Sequence, residues 1–270
     1  MTSARRAGRL VTATRLAARR LSLRLLATTA LCAAALALSG CAGGDKGPPR
    51  LITETVGRGP GTATIIRPDV DGRLPVVLFL HGWGGNRPRY YRPWLEHLAR
   101  RGNAVIFPRY QDSVLEPPPQ VLGNVLAGVR LALGRIDEDP RSLVVAGHSA
   151  GGALAADYAV IARSAKLPVP VAVFSAYPGR RLEGVPFGLP ELDPGKIPKA
   201  TRVVALAGAR DRVVGTGPAR RLARLAGARR RSLVVVRDPA AADHLGPQRA
   251  DATARREFWA RLDRLIRATR

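Results

Sequence analysis

The sequence predicts an α/β fold with a mostly parallel central sheet covered by helices on both faces. Short, continuously apolar runs recur from residue 62 onward, and amphipathic stretches of ten or more residues separate them. Strands buried on both faces read as unbroken apolar runs, and the intervening helices are the crossovers that parallel pairing requires. About 220 residues from position 51 onward share this pattern, ample for one hydrophobic core.

In chain order, "TATIIR" (62–67) and "PVVLFLHG" (75–82) read as the first strands, and an amphipathic stretch at 88–101 follows. "AVIFPR" (104–109) is the next strand, then a helix over 119–134, entered through the stiff loop "LEPPPQ" (115–120). "SLVVAG" (142–147) leads into a helix at 151–165, and "VAVFSA" (171–176) follows. The Pro- and Gly-rich segment 177–200 is too long for an ordinary connection, so it is either a substrate-facing loop or a surface excursion. "RVVALAG" (202–208), a helix at 217–227, "SLVVVRD" (232–238) and a helix at 247–268 complete the pattern.

The first forty residues stand outside this domain. Arg5 to Arg24 carries seven arginines and no acid, Leu25 to Leu38 is apolar, and small residues follow. That layout describes a secretory signal; the apolar run is short of the roughly 20 residues a membrane span needs. The ending Leu38-Ser39-Gly40-Cys41 resembles the lipobox of bacterial lipoproteins, which implies acylation at Cys41 and a protein anchored at the outer face of the bacterial cytoplasmic membrane. The alternative reading is an ordinary signal peptide with an incidental cysteine, and a periplasmic or secreted protein. Arg19-Arg20 resembles a twin-arginine export signal, but Ser22 stands where such signals have an apolar residue. Residues 41–50 then form a short Gly/Pro tether, and 51–270 the folded domain.

Charge and cysteine count exclude several classes. The formal charge is +24, with 44 basic residues of which only Lys46, Lys166, Lys196 and Lys199 are lysines. Outside the signal, 37 basic residues face 20 acidic ones, a net of +17. The arginines are spread over every expected helix and aromatics are 5% of residues, whereas nucleic-acid sites pair a basic stripe with stacking aromatics. No nucleic-acid partner is expected. A basic surface on a lipid-anchored protein does favour anionic membrane, by about 1 kcal/mol per nearby charge. The only cysteines are Cys32 in the signal and Cys41, so the processed domain has neither disulfides nor cysteine-ligated metal.

The chemistry gathers at "AGHSAGG". Gly147-His148-Ser149-Ala150-Gly151 directly follows a strand and precedes a helix. On such a turn the serine takes a strained conformation, and side chains two positions either side would collide, so Gly147 and Gly151 fit. The helix start directs free N–H groups toward any developing anion. A serine hydroxyl needs a base. Of four histidines, His81 lies in "LHGWGG", His148 lies within the elbow and is expected to point away from the site, and His97 lies on a helix. His244, in the loop after the last strand, is left as the base. Asp211, three residues beyond the strand 202–208, is the expected orienting acid; Asp238 and Asp243 are rivals, but Asp243 adjoins His244 and their side chains would diverge.

The order Ser149, Asp211, His244, together with "FLHGWGG" (79–85), resembles the α/β-hydrolase-fold serine hydrolases from about residue 60 to the C-terminus, with a layout similar to the compact chlorophyllase-like and polyester-hydrolase-like branches. The resemblance implies that Trp83 and Ala150 donate the oxyanion N–H groups. It also implies hydrolysis of small-molecule or lipid-like carboxylic esters through an acyl-enzyme, with no metal or other cofactor and no large helical cap. Acyl transfer or peptidase chemistry on the same triad, and a non-catalytic surface protein on this scaffold, are the alternative readings. Trp83, Tyr90, Tyr91 and Tyr177 are candidate walls of an apolar pocket, with Tyr90 and Tyr91 alternatively packing the following helix against the sheet.

Overall fold

Side-chain alternation along the central strands splits the core into two layers. In β3 (Pro75–Leu80), Val76, Leu78 and Leu80 join one buried cluster, while Val77 and Phe79 join the other. That is the period-two pattern of a sheet covered on both sides. The computed structural model describes residues 47–113, 115, 118–136, 139–181 and 188–270. The expected signal (1–40) and Cys41 lie outside the described residues.

Eight strands form one sheet in the order β1 (Leu51–Val56), β2 (Thr62–Pro68), β4 (Ala104–Arg109), β3, β5 (Asp139–His148), β6 (Ala172–Ala176), β7 (Arg202–Gly208) and β8 (Arg230–Val236). β2 pairs antiparallel with both β1 and β4 at one edge, and the remaining pairings, from β4 through β8, are parallel. β1 is a strand that the apolar-run pattern did not predict. It occupies the sheet edge, and its side chains alternate between half-buried and exposed, so it has no continuous apolar run to read.

Helices α2 (Pro118–Arg135), α3 (Ala150–Ile161) and α4 (Gly217–Leu225) cover one face. α1 (Arg92–Arg100) and the C-terminal helical stretch cover the other. α1 buries Trp94, Leu95, Leu98 and Ala99 as one stripe, accommodates Pro93 in its first turn, and is followed by Gly102 at φ +79°, the left-handed position that glycine fills without strain. The amphipathic stretch expected at 88–101 is therefore two pieces, since Pro88–Tyr90 is a separate 3-10 turn. The stretch expected at 247–268 also begins later. After a 3-10 turn at Gly246–Gln248 it runs as α5 (Ala252–Ala254), a π-turn at Arg255–Trp259, and α6 (Ala260–Arg267). Asp251 caps α5 through the Ala254 N–H at 2.8 Å.

The strand order reverses at β3, which lies between β4 and β5. In open α/β sheets ligands bind beyond the carboxyl ends of the strands at such a reversal. The loops after β3 and β5 leave the sheet side by side at that point. Among the described residues no helix is long and apolar enough to cross a membrane, and no large helical cap interrupts the sheet order.

Candidate active site

Ser149 is held at φ 56°, ψ −120° between β5 and α3, a strained conformation for a residue with a side chain. The flanking glycines make the turn possible. A Cβ on Gly147 would lie 2.1 Å from the Gly151 carbonyl oxygen, and one on Gly151 would lie 2.1 Å from that of Leu80. The elbow is thus wedged against the end of β3.

From this turn the serine hydroxyl meets His244 Nε2 at 2.9 Å, and His244 Nδ1 meets Asp211 Oδ2 at 2.8 Å. Nδ1–H donates to the carboxylate, which leaves Nε2 to accept the serine proton. Asp211 is held by its other oxygen, which accepts from the Val213 and Val214 N–H groups at 2.9 and 3.0 Å. Burial works to raise its carboxyl pKa, but the bonds from His244, Val214 and Val213 outweigh it and keep the group below the usual carboxylate value. The rival acids are engaged elsewhere: Asp243 pairs with Arg249 at 2.7 Å and Asp238 with Arg256 at 2.6 Å. His97 is half-buried and bonds to Asp263 at 2.9 Å.

His148 departs from expectation. Its ring turns toward the loop that carries the base, with its centroid 5.0 Å from that of His244. Burial, with the nearby His244 adding to it, lowers its pKa to about 3, so it carries one proton at neutral pH. Nε2 lies 2.8 Å from the His244 carbonyl, which can only accept, so that proton sits on Nε2. Nδ1 therefore accepts from the Tyr91 hydroxyl at 2.9 Å. The same hydroxyl oxygen accepts from Gly82 N–H at 2.9 Å and Gln248 Nε2 at 3.2 Å. One phenol thus ties together the loop after β3, the elbow and the loop after β8. Sequence reasoning missed Tyr91 and His148 as site residues, because their partners are brought together only by the fold.

His81 braces the neighbouring loop. Its Nδ1–H donates to the Gly82 carbonyl at 2.7 Å, and its ring stacks on Tyr110 at 3.8 Å between centroids. The Tyr110 hydroxyl donates to the His81 carbonyl. Burial lowers the His81 pKa to about 3 as well, against the pull of the Gly82 bond.

The expected aromatic walls divide. Tyr91 packs on Phe79, as the packing alternative had it, while Tyr90 is 40% exposed. Tyr177 is not a wall: it is fully buried, its hydroxyl donates to the Ala241 carbonyl at 2.7 Å, and its ring meets Phe258 edge-on. Trp83 is half-buried against the core layer of α2 to α4.

The long 177–200 segment begins against the serine, with Gly179 N–H donating to the Ser149 carbonyl at 3.1 Å. Arg180 then grips buried Asp157 with both guanidinium nitrogens at 2.8 and 2.9 Å. A cavity of about 210 Å³ lies beside this stretch, lined by Ala153, Ala156, Pro178, Gly179, Pro218 and Leu222 among others. Among the described residues no group of three or more His, Cys, Asp or Glu side chains could hold a metal ion.

Comparison with known proteins agrees with this architecture. A family model described as an alpha/beta hydrolase fold matches residues 77–198. No curated protein sequence matches the chain. Among solved structures, the chain resembles a Rhizomucor miehei esterase at 22% identity and TM-score 0.64, covering 83% of this chain and 84% of that one. It resembles an esterase from Pyrobaculum calidifontis at 19% identity and TM-score 0.64, covering 83% and 85%. It resembles esterase B from Lactobacillus rhamnosis, solved as a tributyrin phosphonate complex, at 16% identity and TM-score 0.64, covering 92% and 96%. The chain has the α/β-hydrolase fold.

Proposed function

We propose that the protein is a serine hydrolase of carboxylic esters. The observation that carries the reading is the unbroken chain from Ser149 Oγ through His244 to Asp211, with both links under 3 Å and the serine on a strained turn. Ser149 Oγ attacks the acyl carbon as its proton passes to His244 Nε2. Asp211 holds the imidazole in the tautomer that allows this and stabilises its charged form. The proton then goes to the departing alcohol, leaving an ester on Ser149. Water, deprotonated by the same Nε2, attacks that ester and releases the acid.

The oxyanion in this reading is held by the N–H groups of Ala150, the first residue of α3, and of Trp83. Support comes from the close approach of the two loops: a Cβ on Gly82 would lie 3.3 Å from that of Ser149. Losing one such donor typically costs about 10²–10³ in rate. The esterases with similar structures agree with an ester substrate. The lipobox-like stretch supports attachment through an acylated Cys41 outside the cytoplasm.

The test is hydrolysis of p-nitrophenyl esters from acetate to palmitate by the protein and its Ser149→Ala variant, with a fluorophosphonate probe for the nucleophile. The expected result is turnover and labelling lost together in the folded variant. Substantial turnover by that variant removes the proposed nucleophile. Predominant transfer of the acyl group to an added alcohol, or cleavage of amides alone, replaces ester hydrolysis by one of the alternative chemistries.

A further inference from the structure

The parallel strands give the domain two unlike ends. The elbow, Asp211 and His244 all lie beyond the carboxyl ends of the strands. The opposite end carries the strand starts, and register places the chain's entry there. Leu51 opens β1 opposite Pro68, the last residue of β2, and Ile66 of β2 lies opposite Val105 near the start of β4. Whatever precedes Leu51 therefore joins the domain at the end away from Ser149.

That same end carries cations in two shallow clefts. One, of about 570 Å³, is lined by Lys199, Arg202, Arg229 and Arg230, with Arg202 and Arg230 paired side by side at the starts of β7 and β8. The other, of about 470 Å³, is lined by Arg100, Arg101, Arg267 and Arg270, with one acid, Asp263, which is engaged by His97 and Arg101. The Arg202 guanidinium donates to the Ala268 carbonyl at 3.0 Å, so the clefts adjoin along the C-terminus of the chain. Of these eight cations only Arg100 and Arg101 have a carboxylate within 4 Å among the described residues. Asp69, Asp71 and Asp139 at this end lie toward the β1–β3 side, and Asp139 is bonded to Arg141 at 3.1 Å. At the catalytic end Arg109, Arg180, Arg221, Arg249 and Arg256 each have an acidic partner. Cations without one there among the described residues, such as Arg87, Arg89, Arg220 and Arg237, are spread over the loop after β3, α4 and the loop after β8.

We propose that this end of the domain docks on an anionic lipid surface, with headgroup phosphates seated in the two clefts and the active site facing away. Charge complementarity and the point of chain entry argue for it independently. A chain reaching back from Leu51 to Cys41 spans at most about 35 Å, so the tether permits the contact, and docking does not require the acyl group. Neither cleft is lined by an aromatic side chain, which disfavours stacked nucleic-acid bases. With the strands standing between surface and site, β7 alone holds Asp211 about 20 Å above the headgroups. The ester consumed there comes from water and not from the bilayer beneath.

The test uses the chain from position 41 onward with Cys41→Ala, so that neither an acyl anchor nor the basic and apolar stretch 1–40 contributes, and vesicles of phosphatidylcholine with or without about one lipid in three as phosphatidylglycerol. Binding is expected only to the anionic vesicles, and to weaken with salt. Replacing Lys199, Arg202, Arg229 and Arg230 by Gln is expected to cut the partition coefficient by about 100-fold or more, at roughly a factor of 5 per cation. The matched variant Arg87, Arg89, Arg220 and Arg237→Gln, at the catalytic end, is expected to bind within about threefold of the parent. Equal losses in the two variants would show attraction of net charge only, and no binding by the parent would overturn the proposal outright. Tighter binding to a DNA duplex than to vesicles, lost in the first variant, would assign the clefts to nucleic acid instead. Hydrolysis of a water-soluble butyrate ester is expected to be the same on and off vesicles; a large rise on binding would overturn the orientation.

Discussion

Two fully buried neutral histidines make the stability of this fold acid-sensitive well above the carboxylate range. His81 and His148 have pKa values lowered to about 3, in each case chiefly by burial. In the unfolded chain a histidine titrates near 6.5. As pH falls below that value the unfolded state takes the proton first, so stability present above about 6.5 is lost progressively toward pH 3. At pH 7 each histidine costs almost nothing; at pH 5 each costs about 2 kcal/mol. Together they remove about 4 kcal/mol over two pH units, a large part of the roughly 5–15 kcal/mol that stabilises a typical domain. Asp211, held below its ordinary pKa, contributes in the same direction at lower pH. The perturbation is His148→Gln, whose amide can still donate to the His244 carbonyl and accept from Tyr91, but which does not titrate. Urea unfolding at pH 7 and pH 5 gives the loss for parent and variant. The variant is expected to lose about 2 kcal/mol less than the parent between the two pH values, whatever its stability at pH 7. Equal losses would show that His148 accepts a proton in the folded state, and the tautomer assigned to it would fall as well.

Ser149→Gly is expected to abolish turnover while raising stability by about 1–3 kcal/mol, because glycine adopts φ 56° without strain; a melting temperature no higher than that of the parent would count against strain at the elbow. Gly151→Ala places a Cβ 2.1 Å from the Leu80 carbonyl oxygen and 2.4 Å from that of His81, so soluble folded protein is expected to be lost or destabilised by more than about 3 kcal/mol, as read by circular dichroism and urea unfolding. Tyr91→Phe leaves Gly82 N–H and His148 Nδ1 without their partner, at about 1–3 kcal/mol for each buried group. Its kcat on the preferred p-nitrophenyl ester is expected to fall by about tenfold in protein that remains folded at 25 °C.

What the sequence made legible was what depends on residue type and spacing along one segment. The strands of the central sheet announce themselves because both faces are buried, and the elbow does so because Gly147 and Gly151 answer a steric demand within five residues. Asp211 and His244 could be chosen because each follows a strand. β1 escaped because an edge strand buries little, and Leu51–Val56 alternates weakly. Tyr177 was misread because an aromatic beside a Gly/Pro loop looks equally suited to lining a pocket or filling a core. Its left-handed backbone, at φ 50°, turns it under the base loop. His148 was read only by its place in the elbow, and its bond to the His244 carbonyl spans 96 positions.

The Tyr177 hydroxyl and the Arg210 N–H hold the start of the base loop at Ala241 and Ala242, and the Tyr91 hydroxyl acts at His244 itself, through His148. The triad needs three loops from three different strands to agree in position to a fraction of an ångström, and misplacement on the scale of 1 Å can cost about 100-fold in rate. The serine is fixed by its own turn and Asp211 by the Val213 and Val214 N–H groups, but His244 sits in a loop with no helix or strand of its own. Its carbonyl is held by His148, whose orientation is set by Tyr91, whose oxygen also fixes Gly82 N–H. Because His148 stays neutral, this brace adds no positive charge beside the imidazole that becomes cationic in the proposed reaction. A lysine or arginine could have held the same carbonyl, but only by opposing the charge that forms 5.0 Å away. Burial of His148 costs stability in acid, and in return the base is held without electrostatic penalty.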